Sequence, residues 1–352
     1  MAGAGIALSR SYLEELVAPL LKQYVPEVRY AAARVGPGSE VLGLDDAMSR
    51  DHDWGLRLQL FVDEADCERV LSVFGHLPTH FRGYPVRFGC SADPSERVRI
   101  DVTSVDALAR QHLGFEPRGG ASVVDWLSLT GQAVLEVTAG VVFEDQTGEL
   151  TALREALAWY PDDIWRHVVA CDWQRLDQEL PLMGRAGDRG DELGSRTIAA
   201  RLVDIAVHLG FMLSRAWPPY PKWRGTVFGR LTGCTAIAAH LVRALDARRW
   251  QDRQAALAEA LSCLAYLQQE QGLPVSRSAV EPFWDRPYIQ LERSLVPTLL
   301  ESISSSDVRA LPRGIGSVEQ HSDNVDLLVK AEQRRALALA LLAHPGSPRS
   351  TS

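Results

Sequence analysis

The chain is poor in the features that mark membrane-spanning, secreted and disulfide-stabilised proteins. Its 352 residues include no apolar run of about 18 residues, the length that a membrane-spanning helix needs. The first residues, Met1 to Leu8, lack the basic start and apolar core of a signal peptide. The five cysteines are odd in number and form no Cys-x-x-Cys pair, which argues against a disulfide framework or a zinc knuckle. These absences predict a soluble, cytoplasmic protein with reduced thiols and no membrane partner.

Positive charge is also scarce. The formal net charge is -8, so the chain lacks the overall basic character that neutralises a nucleic-acid backbone. A small cationic molecule suits this balance better as a partner than nucleic acid does. Lysine is especially rare, because only Lys22, Lys222 and Lys330 occur. A lysine inside a motif therefore stands out.

The apolar pattern changes near the middle of the chain and predicts two domains. Apolar residues first alternate as in strands, and from Thr151 onward they recur every three to four residues as in helices. The predicted fold class is α+β. It has an N-terminal α/β domain with a mixed sheet over 1–145, a C-terminal helical bundle over 146–345 and a disordered tail over 346–352.

The same periodicities predict individual elements. In the N-terminal domain they indicate helices at about 9–24, 64–76 and 104–113, a strand at 84–90, and a last strand at either 134–137 or 141–143. In the C-terminal domain they indicate helices at 196–217, across the leucine stripe 257–267, at 283–303 and at 323–342, with a glycine-rich loop over 184–194.

Two aspartates one residue apart lie within a predicted strand. Side chains alternate along an extended chain, so Asp51 and Asp53 point to one face. Neighbouring carboxylates repel each other unless a cation lies beside them, and Mg2+ meets that need. The opposite, buried face is formed by His52, Trp54, Leu56, Leu58, Leu60 and Val62.

A third carboxylate and a pair of small residues complete the set. Asp101 lies in the alternating segment 98–102, which predicts a second strand beside the first. Gly38 and Ser39 are small, so their backbone N–H groups can approach a phosphate closely. Together these residues predict a two-metal site for phosphoryl transfer.

This set resembles the Gly-Ser pair, Asp-x-Asp motif and third carboxylate of the polymerase-β-like nucleotidyltransferase superfamily. The segment 43–55 is similar to an uncharacterised bacterial branch with a nucleotidyltransferase-like domain of unknown function, distantly similar to aminoglycoside nucleotidyltransferases. Stretches between 135 and 161 and from Pro219 to Trp223 agree with that branch. The resemblance covers roughly residues 10–330, with its most specific motif at 49–55.

The resemblance implies a nucleotidyltransferase-type catalytic domain that uses an NTP, with ATP expected, and two Mg2+ ions. Asp51 and Asp53 would hold both ions, and Asp101 would hold the ion on the nucleophile side. An acceptor hydroxyl would attack the α-phosphate, and pyrophosphate would leave. The phosphates would be bound by Gly38, Ser39 and Arg50, with Arg154 as a further candidate clamp.

Lys222 follows three prolines within 217–221, which stop a helix and stiffen the backbone. On such a rigid turn a lysine can be aimed across an interdomain cleft at a triphosphate. The alternative is a solvent-exposed lysine beside Trp223. Together with the resemblance, the position favours phosphate binding.

The base that deprotonates the acceptor is sought among glutamates beyond the sheet, as the resemblance implies. Glu136 lies among apolar residues, where burial raises a carboxyl pKa toward the useful range. Glu144 is the second candidate. The alternative for Glu136 is a buried structural carboxylate paired with an arginine.

The proposed acceptor class stays open between several alternatives. The acidic charge and the helical second domain favour a small cationic molecule such as an aminoglycoside. Transfer to tRNA or to a protein, as in toxin-like members, is a second enzyme class. A nucleotide-sensing module without turnover is the non-enzyme alternative, and three intact carboxylates weigh against it.

Overall fold

The computed structural model describes residues 4–45, 55–90, 93–276 and 278–343. The chain folds as two compact units. The first comprises residues up to 121 together with 133–158, and the second comprises 122–132 together with the residues from 159 on. No described helix is both long enough and apolar enough to cross a lipid bilayer. The predicted disordered tail lies outside the described residues.

The first unit is built on a mixed sheet, as the sequence predicted. Within its main sheet, one neighbouring pair of described strands is parallel and the other pairs are antiparallel. The strands are β1 (Ala31–Arg34), β2 (Arg57–Phe61), β3 (His80–Phe81), β4 (Tyr84–Pro85), β5 (Arg87–Cys90), β6 (Asp93–Thr103) and β7 (Val141–Asp145). Their order in the main sheet is β5-β6-β2-β1-β7, with β3 and β4 as a separate hairpin, and the parallel pair is β2 with β6.

The helices interleave with these strands. In chain order they are α1 (Ala4–Tyr12), α2 (Ala18–Tyr24), α3 (Cys67–Val73), α4 (Val105–Leu113), α5 (Val123–Leu127), α6 (Gly131–Thr138) and α7 (Glu149–Ala156), of which α5 belongs to the second unit. Helix α7 is part of the first unit, although it follows the predicted domain boundary at 145. The roles of the two predicted domains stay predictions.

The buried face predicted for the aspartate-bearing strand is confirmed where β2 is described, but the opposite face, predicted to be exposed, is buried as well. Leu56, Leu58 and Leu60 are fully buried on one face. Gln59 and Phe61 on the other face are also buried, so β2 is covered on both sides. A buried glutamine in such a strand requires hydrogen-bond partners, because an unpaired amide in an apolar setting is costly.

The predicted N-terminal elements are close to the observed ones. The first helix starts at Ala4, earlier than predicted, and a π turn over Leu13–Val17 separates α1 from α2. Pro19 has no N–H to donate to the carbonyl one turn earlier, which accounts for the widened turn. Of the two candidate last strands, 141–143 forms β7, whereas 134–137 is helical.

The second unit consists mainly of helices. They are α8 (Asp162–Asp188), α9 (Glu192–Leu213), α10 (Pro221–Phe228), α11 (Cys234–Asp246), α12 (Trp250–Glu270), α13 (Leu295–Glu301), α14 (Ser306–Arg309), α15 (Val325–Leu328) and α16 (Ala331–Ala343), with a hairpin of β8 (Val280–Pro282) and β9 (Ile289–Leu291). The leucine stripe of α12 is buried as predicted. The predicted helical bundle was wrong in one respect, because it did not include the hairpin of β8 and β9.

The glycine-rich loop predicted over 184–194 was also wrong. Gly184 and Gly187 lie inside α8, and only 189–191 separates α8 from α9. A Cβ at Gly187 would lie 2.3 Å from the Cβ of Trp250. These glycines therefore allow close packing of helices and do not mark a turn.

The two last predicted helices are interrupted. The segment 283–303 contains β9 and only the short α13, because Pro282 and Pro287 favour extended backbone before it. The segment 323–342 is split into α15 and α16. The carbonyl of Leu328 at that break accepts a hydrogen bond of 2.6 Å from the buried guanidinium of Arg334.

A buried ionic network lies among the helices of the second unit. His208 Nδ1 lies 2.5 Å from Asp172 Oδ2, and its Nε2 lies 3.5 Å from Glu319 Oε1. Burial alone lowers the pKa of the His208 imidazole, but Asp172 and Glu319 more than offset that effect and raise the pKa to about 9. His208 is therefore protonated at neutral pH, as the partner of two buried carboxylates.

This network predicts a stability that falls at alkaline pH. The folded pKa of His208 exceeds the ordinary value of 6.5, so its stabilisation is complete below pH 6.5 and is lost as pH rises through about 9. The expected loss is a few kcal/mol on the scale of about 1.4 kcal/mol per pKa unit. Urea unfolding followed by tryptophan fluorescence will measure it, because all tryptophans except Trp54 lie in the second unit.

The matched control is His208→Gln, which cannot take up the proton. Burial also raises the pKa of the Cys171 and Cys234 thiols, so these groups add their own loss of stability at high pH. That contribution is common to both proteins and cancels in the difference between the two pH profiles. An equal slope in His208→Gln and the wild type would show that the network does not carry the effect.

Candidate functional site

The loop that contains Gly38 and Ser39 is folded around a buried guanidinium. Arg34, the last residue of β1, is 1% exposed. Its Nη1 donates to the carbonyl oxygen of Val35, and its Nη2 donates to the carbonyl oxygen of Pro37 at 3.1 Å. Nη2 also forms an ion pair of 2.5 Å with Glu40 Oε1. The residues 36–40 therefore wrap around one side chain; they are called the phosphate loop below, after the phosphate binding predicted for Gly38 and Ser39.

This arrangement orients the amide groups of the phosphate loop. The described residues contain no cis peptide bond, and in a planar trans peptide the N–H points opposite to the preceding carbonyl. Since the Pro37 carbonyl faces the guanidinium, the Gly38 N–H points away from it. Gly38 has a φ of 138°, and a Cβ there would lie 2.5 Å from Glu40 Oε2. A φ in this range favours glycine, and the Gly38 N–H is directed away from the buried guanidinium.

Gln59 joins Val35, the residue directly before the phosphate loop, to Asp101. The Val35 N–H donates to Gln59 Oε1 at 3.0 Å, and Gln59 Nε2 donates to Asp101 Oδ2 at 3.2 Å. The parallel register of β2 and β6 places Gln59 directly beside Asp101. The Asp101 side chain is 52% exposed, and its Oδ1 lies 3.9 Å from Arg97. Asp101 is thus an accessible carboxylate with one oxygen held by an amide, which fits a Mg2+ ligand.

Asp51, Asp53 and the neighbouring Arg50 lie outside the described residues, directly before the bend that leads into β2. In the described ranges no group of three His, Cys, Asp or Glu side chains is arranged to hold a metal ion. The three-aspartate metal site stays a prediction.

Glu136 is paired with a histidine, where an arginine was the predicted alternative. Its Oε2 lies 2.8 Å from His112 Nδ1, and both side chains are mostly buried. The Glu136 backbone carbonyl accepts a 2.7 Å hydrogen bond from the Gly36 N–H, which places this part of α6 against the phosphate loop. Glu144 accepts hydrogen bonds of 2.8 Å from the Tyr30 hydroxyl and from Gln146 Nε2. Both oxygens of Glu144 are therefore already used within the unit.

Two predicted phosphate ligands lie in other settings. Lys222 is exposed in the first turn of α10, with Nζ 4.8 Å from the ring centroid of Trp223. The predicted rigid turn is thus a helix start, because Pro221 fits the first helical position. Arg154 donates to the carbonyl oxygens of Thr138 and Gly140. Its guanidinium supports the turn after α6, and phosphate binding by either residue stays a prediction.

Sequence reasoning missed Arg34, Gln59 and His112. Gln59 carried a usable signal, because alternation places it on the same strand face as Asp51 and Asp53. Arg34 follows three alanines of a central strand and precedes a glycine-rich loop, where a buried cation is rare unless it is paired. The partnership of His112 with Glu136 spans distant parts of the chain and left no local pattern.

Comparisons with known proteins give limited matches. Residues 126–224 match the model of a Domain of unknown function (DUF4037). The chain is similar to a solved nucleotidyltransferase-like protein from Exiguobacterium sibiricum 255-15, with 16% sequence identity, a TM-score of 0.32 and coverage of 75% of this chain and 74% of that chain. No curated protein matches. A TM-score this low does not establish a common fold, so the candidate site is defined by its own contacts.

The close approach of Gly140 to Arg34 gives a prediction about the loop scaffold. Gly140 has a φ of 75°, and a Cβ there would lie 2.1 Å from the Arg34 carbonyl oxygen. Gly148 has the same φ of 75° with nothing within 4 Å of a Cβ. Gly148→Ala should cost about 1–2 kcal/mol, the penalty for a left-handed non-glycine residue. Gly140→Ala should cost about 1–3 kcal/mol more, because backbone must move.

Urea unfolding followed by far-UV circular dichroism measures both variants. Since φ is matched, the difference between them isolates the steric contact with the Arg34 carbonyl. Equal costs would mean that this contact does not constrain the start of the phosphate loop.

Proposed function

We propose that the protein is a Mg2+-dependent nucleotidyltransferase that transfers an NMP, with AMP from ATP expected, to a hydroxyl of a small cationic acceptor. The observation that carries the proposal is the link through Gln59. It joins an accessible carboxylate, Asp101, to Val35, which directly precedes a loop whose Gly38 N–H points away from the buried Arg34 guanidinium. In the sequence, Asp51 and Asp53 lie shortly before β2, the strand that contains Gln59. A nucleotide and a divalent cation require this combination of groups.

The residues of the chain have distinct tasks in this proposal. The phosphate loop binds phosphate oxygens through backbone N–H groups, and Arg34 holds the loop in that conformation. Asp51, Asp53 and Asp101 hold the cations, which polarise the phosphate and lower the pKa of the acceptor hydroxyl when bound. Glu136, oriented by His112, accepts the proton of that hydroxyl. Lys222 contributes binding energy to the triphosphate.

Labelled nucleotides test the activity and separate the alternatives. Purified protein is incubated with Mg2+ and each NTP labelled at the α- or γ-phosphate, with aminoglycosides, total tRNA or cell extract as acceptors. Nucleotidyl transfer moves the α-label and leaves the γ-label in pyrophosphate. Label on a small molecule supports the proposal, and label on RNA or protein supports the toxin-like alternative. Metal-dependent binding without any transfer supports a nucleotide sensor.

The three aspartates give the sharpest mutational test. Asp51→Asn, Asp53→Asn and Asp101→Asn should each lower transfer at least about a hundredfold, the usual loss when a group that stabilises transition-state charge is removed. Folding should be kept, because asparagine relieves repulsion and an amide oxygen at 101 can still accept from Gln59. Asp63→Asn, at an exposed position just after β2, is the matched control with unchanged activity. Turnover close to wild type in Asp51→Asn or Asp53→Asn would reject the mechanism.

The Glu136 variant distinguishes a base from a structural residue. If Glu136 accepts the proton, Glu136→Gln should lower kcat roughly a hundredfold, and the acidic limb of the pH–rate profile should disappear. If the pair with His112 is only structural, the melting temperature should fall while kcat is kept. Measuring both quantities on one preparation, with Glu144→Gln in parallel, decides between the two roles. A large kcat loss in Glu144→Gln alone would move the base to Glu144.

A further inference from the structure

We propose that Gln59 is a positioning residue that couples the phosphate loop to the Asp101 carboxylate, so that the nucleotide-binding and cation-binding parts of the site are ordered together. Its importance for catalysis rests on the proposed function. The coupling itself rests on two hydrogen bonds within the first unit and is open to test without any nucleotide.

The chemistry of the partners fixes the orientation of the Gln59 amide. The backbone N–H of Val35 can only donate, so the atom facing it must be the carbonyl oxygen Oε1. The Asp101 carboxylate accepts, so the atom facing it must be the donor Nε2. If the amide were rotated by half a turn, the donor Nε2 would face the donor N–H of Val35, and the acceptor Oε1 would face the Asp101 carboxylate, which also accepts. Each partner therefore holds the amide in the orientation that the other requires.

Burial makes the two hydrogen bonds depend on each other. Gln59 is only 7% exposed, and β2 is covered on both faces. Water therefore cannot readily replace a lost hydrogen-bond partner of Gln59. If the Asp101 carboxylate moves, the amide loses the constraint that aims Oε1 at Val35. The adjacent guanidinium of Arg34 binds the carbonyl of the same Val35, so the disturbance reaches the phosphate loop directly.

A neutral amide donor is suited to a cation ligand. It fixes one Asp101 oxygen and leaves the carboxylate charge intact, whereas an arginine or lysine at 59 would neutralise that charge and compete with the cation. A glutamate at 59 would repel Asp101. Glutamine is thus the residue type that orients one oxygen of the carboxylate without adding charge, and the Asp101 side chain stays 52% exposed with its other oxygen 3.9 Å from Arg97.

Hydrogen exchange of the Val35 amide tests the coupling. In Gln59→Met, which keeps side-chain size and removes both bonds, exchange in the segment 31–41 should speed up at least about tenfold. Asp101→Ala should produce a similar increase at Val35, although Asp101 does not touch Val35. Gln59→Glu keeps an acceptor for Val35 but has no donor for Asp101, so Val35 should stay protected in this variant, and adding Asp101→Ala should not speed its exchange.

Two controls separate coupling from general loosening of the sheet. Glu96→Ala removes another exposed carboxylate from β6 and should leave Val35 exchange unchanged. Gln146→Met removes a similar bridge, from the Tyr30 N–H to Glu144, and should alter exchange at Tyr30 but not at Val35. Unchanged Val35 exchange in Asp101→Ala would overturn the proposal.

Mn2+ binding, followed by electron paramagnetic resonance without nucleotide, is the second readout. Gln59→Met should weaken Mn2+ binding several-fold, and Asp101→Asn should weaken it more. Wild-type Mn2+ affinity in Gln59→Met would contradict the proposal that Gln59 positions the Asp101 carboxylate. The proposed function can fail separately. A wild-type protein that transfers no nucleotide, yet shows the coupled exchange and Asp101-dependent Mn2+ binding, would reject the transferase and keep the role of Gln59.

Discussion

The buried guanidinium of Arg34 is the interaction on which the candidate site depends. A cation at 1% exposure is tolerated only because two carbonyl groups and the Glu40 carboxylate surround it. The same contacts decide the path of the phosphate loop. Burial lowers the pKa of Arg34, and the nearby Glu40 and Asp101 carboxylates act in the opposite direction. The stability of the buried cation and the conformation of the loop therefore have a common origin.

Much of the first unit could be predicted, because its pattern is strictly local. The alternation from Leu56 to Val62 correctly predicts that the leucine face of β2 is buried, although the Gln59 face is buried as well, and the alternation around Asp101 correctly indicates a strand beside β2. Both inferences need only that side chains alternate along an extended chain. The helical periodicity from Thr151 onward likewise identified the buried leucine stripe of α12.

The predictions that failed share a different physical cause, because each depended on a contact with a residue distant in the sequence. Gly184 and Gly187 indicated a loop, but they serve contacts with Tyr288 and Trp250 on other elements. The partners of Gln59 and Glu136 are also set by strand register and helix placement. Strand alternation and the resemblance marked Asp101 as a candidate ligand, but they did not show that a glutamine would hold it. The predicted roles of Asp51, Asp53 and Arg50 remain sequence-based.

The contacts of the phosphate loop also link the candidate site to the order of folding. Val35 and Gln59 are 24 residues apart, Gln59 and Asp101 are 42 apart, and Gly36 binds the carbonyl of Glu136 much farther along the chain. Each contact closes a longer loop than the last, and such closures come late because their entropy cost precedes their gain. A ribosome-bound chain that ends before α6 can form β1 and β2, yet it lacks the acceptor for Gly36. The loop therefore matures only after α6 has emerged, and a partly synthesised chain has no finished phosphate loop.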